Sequence, residues 1–122
     1  MRRIILLMAV AALVVVSALF VVSAAWAHKH PTAMAQKHPT RTVSIQNFSF
    51  KPANIIIKRG TKVRWINKDS TTHTVTANKK GSFNSGRLGP GKSYTHTFNS
   101  AGKKRYHCNI HPDMRGSVVV KR

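Results

Sequence analysis

The sequence predicts an all-β fold: an antiparallel β-sandwich with Greek-key connections and about seven or eight strands. Three observations lead there. From Thr42 onward no segment carries a helical apolar period of useful length. Short runs of alternating apolar and polar residues recur instead, rich in Val, Ile, Thr, Tyr and Phe. Gly60, Gly81, Gly86, Gly89-Pro90-Gly91 and Gly102 then punctuate the runs as turn signals.

The elements follow in order. Val43, Ile45 and Phe48 alternate with polar residues and open the fold as a strand. Asn54 to Lys58 carries Ile55, Ile56 and Ile57 in a second strand. Lys58-Arg59-Gly60-Thr61 turns into a strand whose one face bears Val63, Trp65 and Asn67. His73 to Ala77 alternates Thr with Val75 and reads as a strand entered from the loop Lys68 to Thr72. Ser93 to Phe98 carries Tyr94 and Phe98, and Lys103 to Cys108 sets Tyr106 on the same face as Cys108. Ser117 to Lys121 is a β-branched closing strand.

The residues before this domain read differently. Arg2 and Arg3 precede a long apolar run from Ile4 to Val22, and Ala25-Trp26-Ala27 offers a small-x-small cleavage site. Residues 1–27 are therefore expected to be a signal peptide, with cleavage after Ala27 and export to the periplasm or another extracytoplasmic compartment. The run is also long enough to span a bilayer, so an uncleaved N-terminal anchor is the alternative. Residues 28–41 hold Lys-His-Pro-Thr twice and lack an apolar period. They are expected to form a flexible His/Lys/Pro arm, leaving 42–122 as the folded domain.

Composition narrows the function. The chain has 21 Lys and Arg against two acids, Asp69 and Asp113, and no Glu, a formal charge of +19. Paired-carboxylate chemistry of the glycosidase or aspartic-protease kind is excluded. The positive surface will attract acidic proteins, anionic lipid or nucleic acid. A single cysteine cannot close an internal disulfide, and a free thiol in an oxidising compartment is an oxidation liability. Burial as a metal ligand would protect it.

That cysteine begins the run Cys108-Asn109-Ile110-His111-Pro112-Asp113-Met114. With His73 upstream, one thiolate, two imidazoles and one thioether form the donor set of a type 1 (blue) copper site. Soft sulfur favours Cu(I), while imidazole also suits Cu(II). Cys108 would end a strand, His111 and Met114 would occupy the following loop, and His73 would come from the same end of the sandwich. His107 should point away from Cys108, and His96 should sit mid-strand on a charged face. A candidate second Cu(II) site lies in the arm. Cleavage after Ala27 would free an amine ahead of His28-Lys29-His30, and an amine, two amides and the imidazole of His30 make a square-planar nitrogen set.

The stretches Ile45-Gln46-Asn47-Phe48-Ser49-Phe50-Lys51-Pro52, Val63-Arg64-Trp65-Ile66-Asn67, His73-Thr74-Val75, Phe98 with Gly102, and Tyr106 through Met114 with Gly116 resemble the cupredoxins. The two-residue spacers of Cys108–His111–Met114 are most similar to the amicyanin branch, with plastocyanin next. The resemblance implies one copper per chain, with His73 and His111 as ring-nitrogen ligands, Cys108 as thiolate and Met114 as axial contact. It also implies that Asn67 ties the two ligand loops together.

The function so implied is single-electron transport rather than catalysis, with His111 presenting an exposed edge near Pro112, Leu88 and Pro90. The expected partner is an acidic redox protein or a membrane oxidoreductase, met transiently and in a salt-sensitive way. A monomer is expected, with no specific nucleic acid, and with membrane contact only if the N-terminal segment is retained. The alternatives are a periplasmic copper-handling protein, favoured by the His-rich arm, and a basic nucleic-acid or anionic-surface binder, favoured by the charge alone.

Overall fold

A computed structural model describes residues 37–122. The signal segment, the anchor alternative and the arm histidines His28 and His30 lie outside the described residues. Within them the chain forms eight strands and no helix. They are β1 (Thr40–Gln46), β2 (Ser49–Lys51), β3 (Asn54–Lys58), β4 (Lys62–Asn67), β5 (Thr76–Ala77), β6 (Ser93–Thr97), β7 (Gly102–His107) and β8 (Arg115–Lys121).

Two four-stranded sheets face each other, ordered β2-β1-β4-β6 and β3-β8-β7-β5. The sandwich expected from sequence is present, but its sheets are mixed rather than antiparallel. β1 runs parallel to β4, with Val43 beside Trp65, and β3 runs parallel to β8, with Ile56 beside Val119. The cause is topological. After the β1–β2 hairpin the chain crosses to the other sheet as β3 before returning as β4. Parallel neighbours require such a crossover, and a tight turn cannot supply it.

The period-2 pattern sets the core. Val43, Ile45, Val63 and Trp65 are fully buried, and Ile55 and Ile57 point inward while Ile56 between them is 59% exposed. Trp65 lies at the centre, within 6.3 Å, centroid to centroid, of the rings of Phe83, Tyr94, Phe98 and Tyr106. Fully burying an aromatic of this size stabilises the fold by several kcal/mol, about 3–5 by the cost of truncating it. Gly116 on β8 lies directly over Tyr106, where any Cβ would overlap Cζ and Oη of the ring.

Three local expectations are corrected. Phe48 is not a strand residue: Asn47 and Phe48 form the β1–β2 turn, and Phe48 is 50% exposed. The segment 73–77 does not form one strand, since only Thr76 and Ala77 pair with β7, and His73 instead makes an isolated bridge to Leu88. The arm does not run freely to residue 41. β1 starts at Thr40, the Pro39 carbonyl accepts from Lys62 N at 3.0 Å, and the His38 ring lies beside Gly60.

Tyr106 carries the fold's main internal polar cost. Its hydroxyl and the Trp65 indole N–H are both buried without a formed hydrogen bond. Burial pushes the phenol up to about 12 from its ordinary 10.0, offset only in part by the nearby Trp65 N–H. With the phenol raised in the folded state, the unfolded chain ionises first, so this group leaves stability unchanged with pH below 10 and lowers it as pH rises through about 12. Tyr106→Phe is expected to raise stability at neutral pH by about 1 kcal/mol, because it removes an unpartnered buried hydroxyl. It should also remove this residue's share of the alkaline loss. Urea denaturation at pH 7 and across pH 9–12 measures both effects.

Candidate metal centre

Three of the four residues singled out in the sequence converge. His73, Cys108 and His111 place their donor atoms within 4.8 Å of one another. Nδ1 of His73 is 3.2 Å from Nδ1 of His111, and the Cys108 Sγ is 3.9 Å and 3.8 Å from those two nitrogens. His73 and Cys108 are fully buried, while His111 is partly buried. Met114 is 4% exposed and closes the same loop by main-chain bonds. Its carbonyl accepts from Cys108 N at 3.0 Å, and its N–H donates to the His111 carbonyl at 2.9 Å. That turn folds residues 108–114 back on themselves, so three donors come from seven residues at small ordering cost.

His73 arrives from the loop between β4 and β5. Its N–H and carbonyl pair with Leu88 at 3.0 and 2.8 Å, which pins the backbone. The two ligand segments are joined by Thr74. Its N–H donates to Cys108 Sγ at 3.3 Å, and its hydroxyl oxygen accepts from Asn109 N at 2.8 Å. Sequence reasoning missed Thr74, because a threonine after a histidine carries no signal.

The tie assigned to Asn67 is corrected in its partner. Asn67 is buried, and its Nδ2 donates to the carbonyls of Thr71 at 2.8 Å and Leu88 at 2.9 Å, while its Oδ1 accepts from Asp69 N at 2.9 Å. It braces the His73 loop against the Leu88 segment, and Thr74 makes the link to the Cys108 loop.

Asp69 was also missed, although as one of two acids among so many cations it was visible. One carboxylate oxygen accepts from Asn47 N at 2.7 Å, and the other accepts from Phe48 N at 3.0 Å and from His73 Nε2 at 2.8 Å. Partial desolvation works to raise this carboxyl, but the Phe48 and Asn47 amides and His73 outweigh it and hold the group below its ordinary range. Asn47 and Phe48 have φ of 51° and 54°, the left-handed pair of a type I′ hairpin turn. A bulky residue there costs roughly 1–2 kcal/mol. The Phe48 ring stands edge-on to His73 at 5.3 Å and to His111 at 5.0 Å. The expected environment of His111 therefore changes. Leu88 is buried and bridged to His73, and the ring resting on both histidines belongs to Phe48.

Among the described residues the other histidines stay out of the centre. His107 turns outward as expected and bonds Oδ1 of Asn78 at 2.6 Å and of Asn109 at 2.8 Å. His96 lies not on a charged face but among aromatic rings, 4.9 Å from Phe83 and 4.8 Å from Phe98, and burial lowers its pKa. Asp113, between two ligands in sequence, is exposed.

A family profile described as a cupredoxin-like domain matches residues 10–120. The chain belongs to the cupredoxin family. Amicyanin of Paracoccus versutus is 36% identical over 84 residues, covering 65% of this chain and 63% of that protein. Plastocyanin of Scenedesmus fuscus is 30% identical over 84 residues, covering 59% and 86%. The crystal structure of Paracoccus versutus amicyanin matches with a TM-score of 0.62 and 33% identity over 67% of this chain and 81% of that one. These relatives place the cupredoxin on the amicyanin and plastocyanin branch.

The residues present fit the copper of that family. A buried thiolate and thioether with two imidazoles are softer than a zinc site requires and suit both copper oxidation states. Asn67→Ala would strand the Thr71 carbonyl and the Asp69 N–H and take from the Leu88 carbonyl one of its two donors. The expected loss is about 3 kcal/mol, roughly one per hydrogen bond, read by denaturant unfolding of the metal-free cupredoxin.

Proposed function

We propose that this cupredoxin is an exported carrier of single electrons. The observation that carries the reading is the meeting of Cys108 Sγ with Nδ1 of His73 and His111, with buried Met114 closing the same loop. His73 and His111 would hold copper by Nδ1, Cys108 by its thiolate and Met114 by its thioether. Bound copper supplies one-electron exchange between Cu(I) and Cu(II). The chain's own work is to keep the donors in place. His73 is fixed by Leu88 and Asp69, Cys108 by Thr74, and His111 by the turn to Met114. Burial of His73, Cys108 and Met114 keeps water from the donors. A scaffold that does not move costs little reorganisation when charge changes, which favours carriage over catalysis.

The partner proposed is an acidic redox protein or a membrane oxidoreductase with an acidic face. Among the described residues no Lys or Arg is paired with a carboxylate, so the positive charge is available for steering. Export rests on the N-terminal sequence, and the N-terminus of the secreted protein should begin at His28.

The decisive test is a visible absorption spectrum of the protein with one equivalent of Cu(II), beside Cys108→Ser. An intense thiolate-to-copper band is expected, lost on reduction and absent from the variant. A weak spectrum indifferent to Cys108→Ser would end the carrier reading and put copper on other nitrogens.

A further inference from the structure

We propose that Asp69 and Phe48 act as one positioning unit, fixing the rings of His73 and His111 before a metal arrives. The inference rests on the reading of those histidines as ligands and adds what holds them.

Phe48 stands where a hairpin turn of this type favours glycine. It is half exposed, so burial in the core does not account for it. A residue chosen for the turn alone would be Gly. What Phe48 adds is its ring, edge-on to both histidines at interplanar angles of 86° and 88°. The strained turn is held by Asp69, whose carboxylate accepts from the N–H groups of both turn residues.

The same carboxylate sets His73. A carboxylate only accepts, so His73 Nε2 must carry the proton. Nδ1 is thereby turned toward the cluster, 3.2 Å from His111 Nδ1 and 3.9 Å from Cys108 Sγ, where a ligand atom must be. One side chain therefore fixes the protonated nitrogen of one ligand and the ring that braces both. Three donors on two oxygens cannot be reproduced by an amide, which has one acceptor oxygen.

Asp69→Asn, Asp69→Ala and Phe48→Gly test the unit in the metal-free protein. Amide exchange reports the turn, and histidine nitrogen NMR reports which ring atoms hold protons. Release of bound Cu(I) to a chelator is a third readout. Both Asp69 variants are expected to speed exchange at Asn47 and Phe48 about tenfold or more and to free the His73 Nε2 proton to exchange. Copper release should rise about 10- to 100-fold, the usual effect of removing a partner that orients a ligand.

Phe48→Gly separates the roles. It relaxes the turn, so exchange at residues 47 and 48 should stay slow, yet the His73 and His111 rings should loosen and release should quicken. Unchanged ring signals and release in Phe48→Gly would overturn the proposal, leaving Phe48 a turn residue. A His73 Nε2 proton still protected in Asp69→Asn would also overturn it. If the Asp69 variants fail to fold, Phe48→Gly carries the test. The metal-free readouts are independent of the copper spectrum, so loss of the carrier reading and loss of this proposal are distinguishable.

Discussion

Two hydrogen bonds from Thr74 hold together what the chain keeps 35 residues apart. The amide of Thr74 meets the sulfur of Cys108, and its hydroxyl receives the amide of Asn109. Without them the His73 segment and the Cys108 loop would share only side-chain contacts across the mouth of the sandwich. With them Cys108, its neighbour in sequence and the segment leading into β5 form one piece. The pairing of Thr76 with His107 and Ala77 with Tyr106 then continues that piece down the sheet. The donor cluster thus rests on the edge of a ladder, which is stiffer than a free loop.

The electrostatics are as lopsided as the composition, and the few negative groups are placed accordingly. Asp69 is spent inside the structure, on two backbone amides and a ligand histidine, so it neutralises no surface cation. The cations of the described residues are left to solvent and salt. Exposed ion pairs contribute little to stability in any case, so a sandwich with a well-filled core can dispense with them. The charge therefore bears on encounter with other molecules rather than on the fold.

The fold tolerates local strain and unpartnered polar atoms. The left-handed Phe48 lies above the histidines, and the buried hydroxyl of Tyr106 lies two residues before the thiolate. Both are unfavourable locally and persist because other contacts hold them. Tyr106 is wedged by Phe50, Trp65 and Gly116, and Phe48 is tethered through its own amide. Local conflicts of this kind concentrate where side chains serve a site as well as a core.

The sequence by itself determined most of the strands, their inward faces and the donor set. Alternation at Val63, Trp65 and Asn67 or at Ile55 and Ile57 is a local property of the pleat, and Cys108, His111 and Met114 sit in one short run where spacing alone brings them near. Tertiary structure decided the rest. Parallel pairing of β1 with β4 depends on a crossover between sheets, which no alternation records. The short β5 depends on Leu88, fifteen residues beyond its bridge partner His73. Phe48 read as a strand residue because it is apolar and follows an alternating run, but a distant carboxylate holds its backbone in a turn. Asp69 and Thr74 matter only through the partners the fold brings to them. Local pattern is written in neighbouring residues, whereas a hydrogen bond between segments 21 to 35 residues apart exists only once the chain has closed around it.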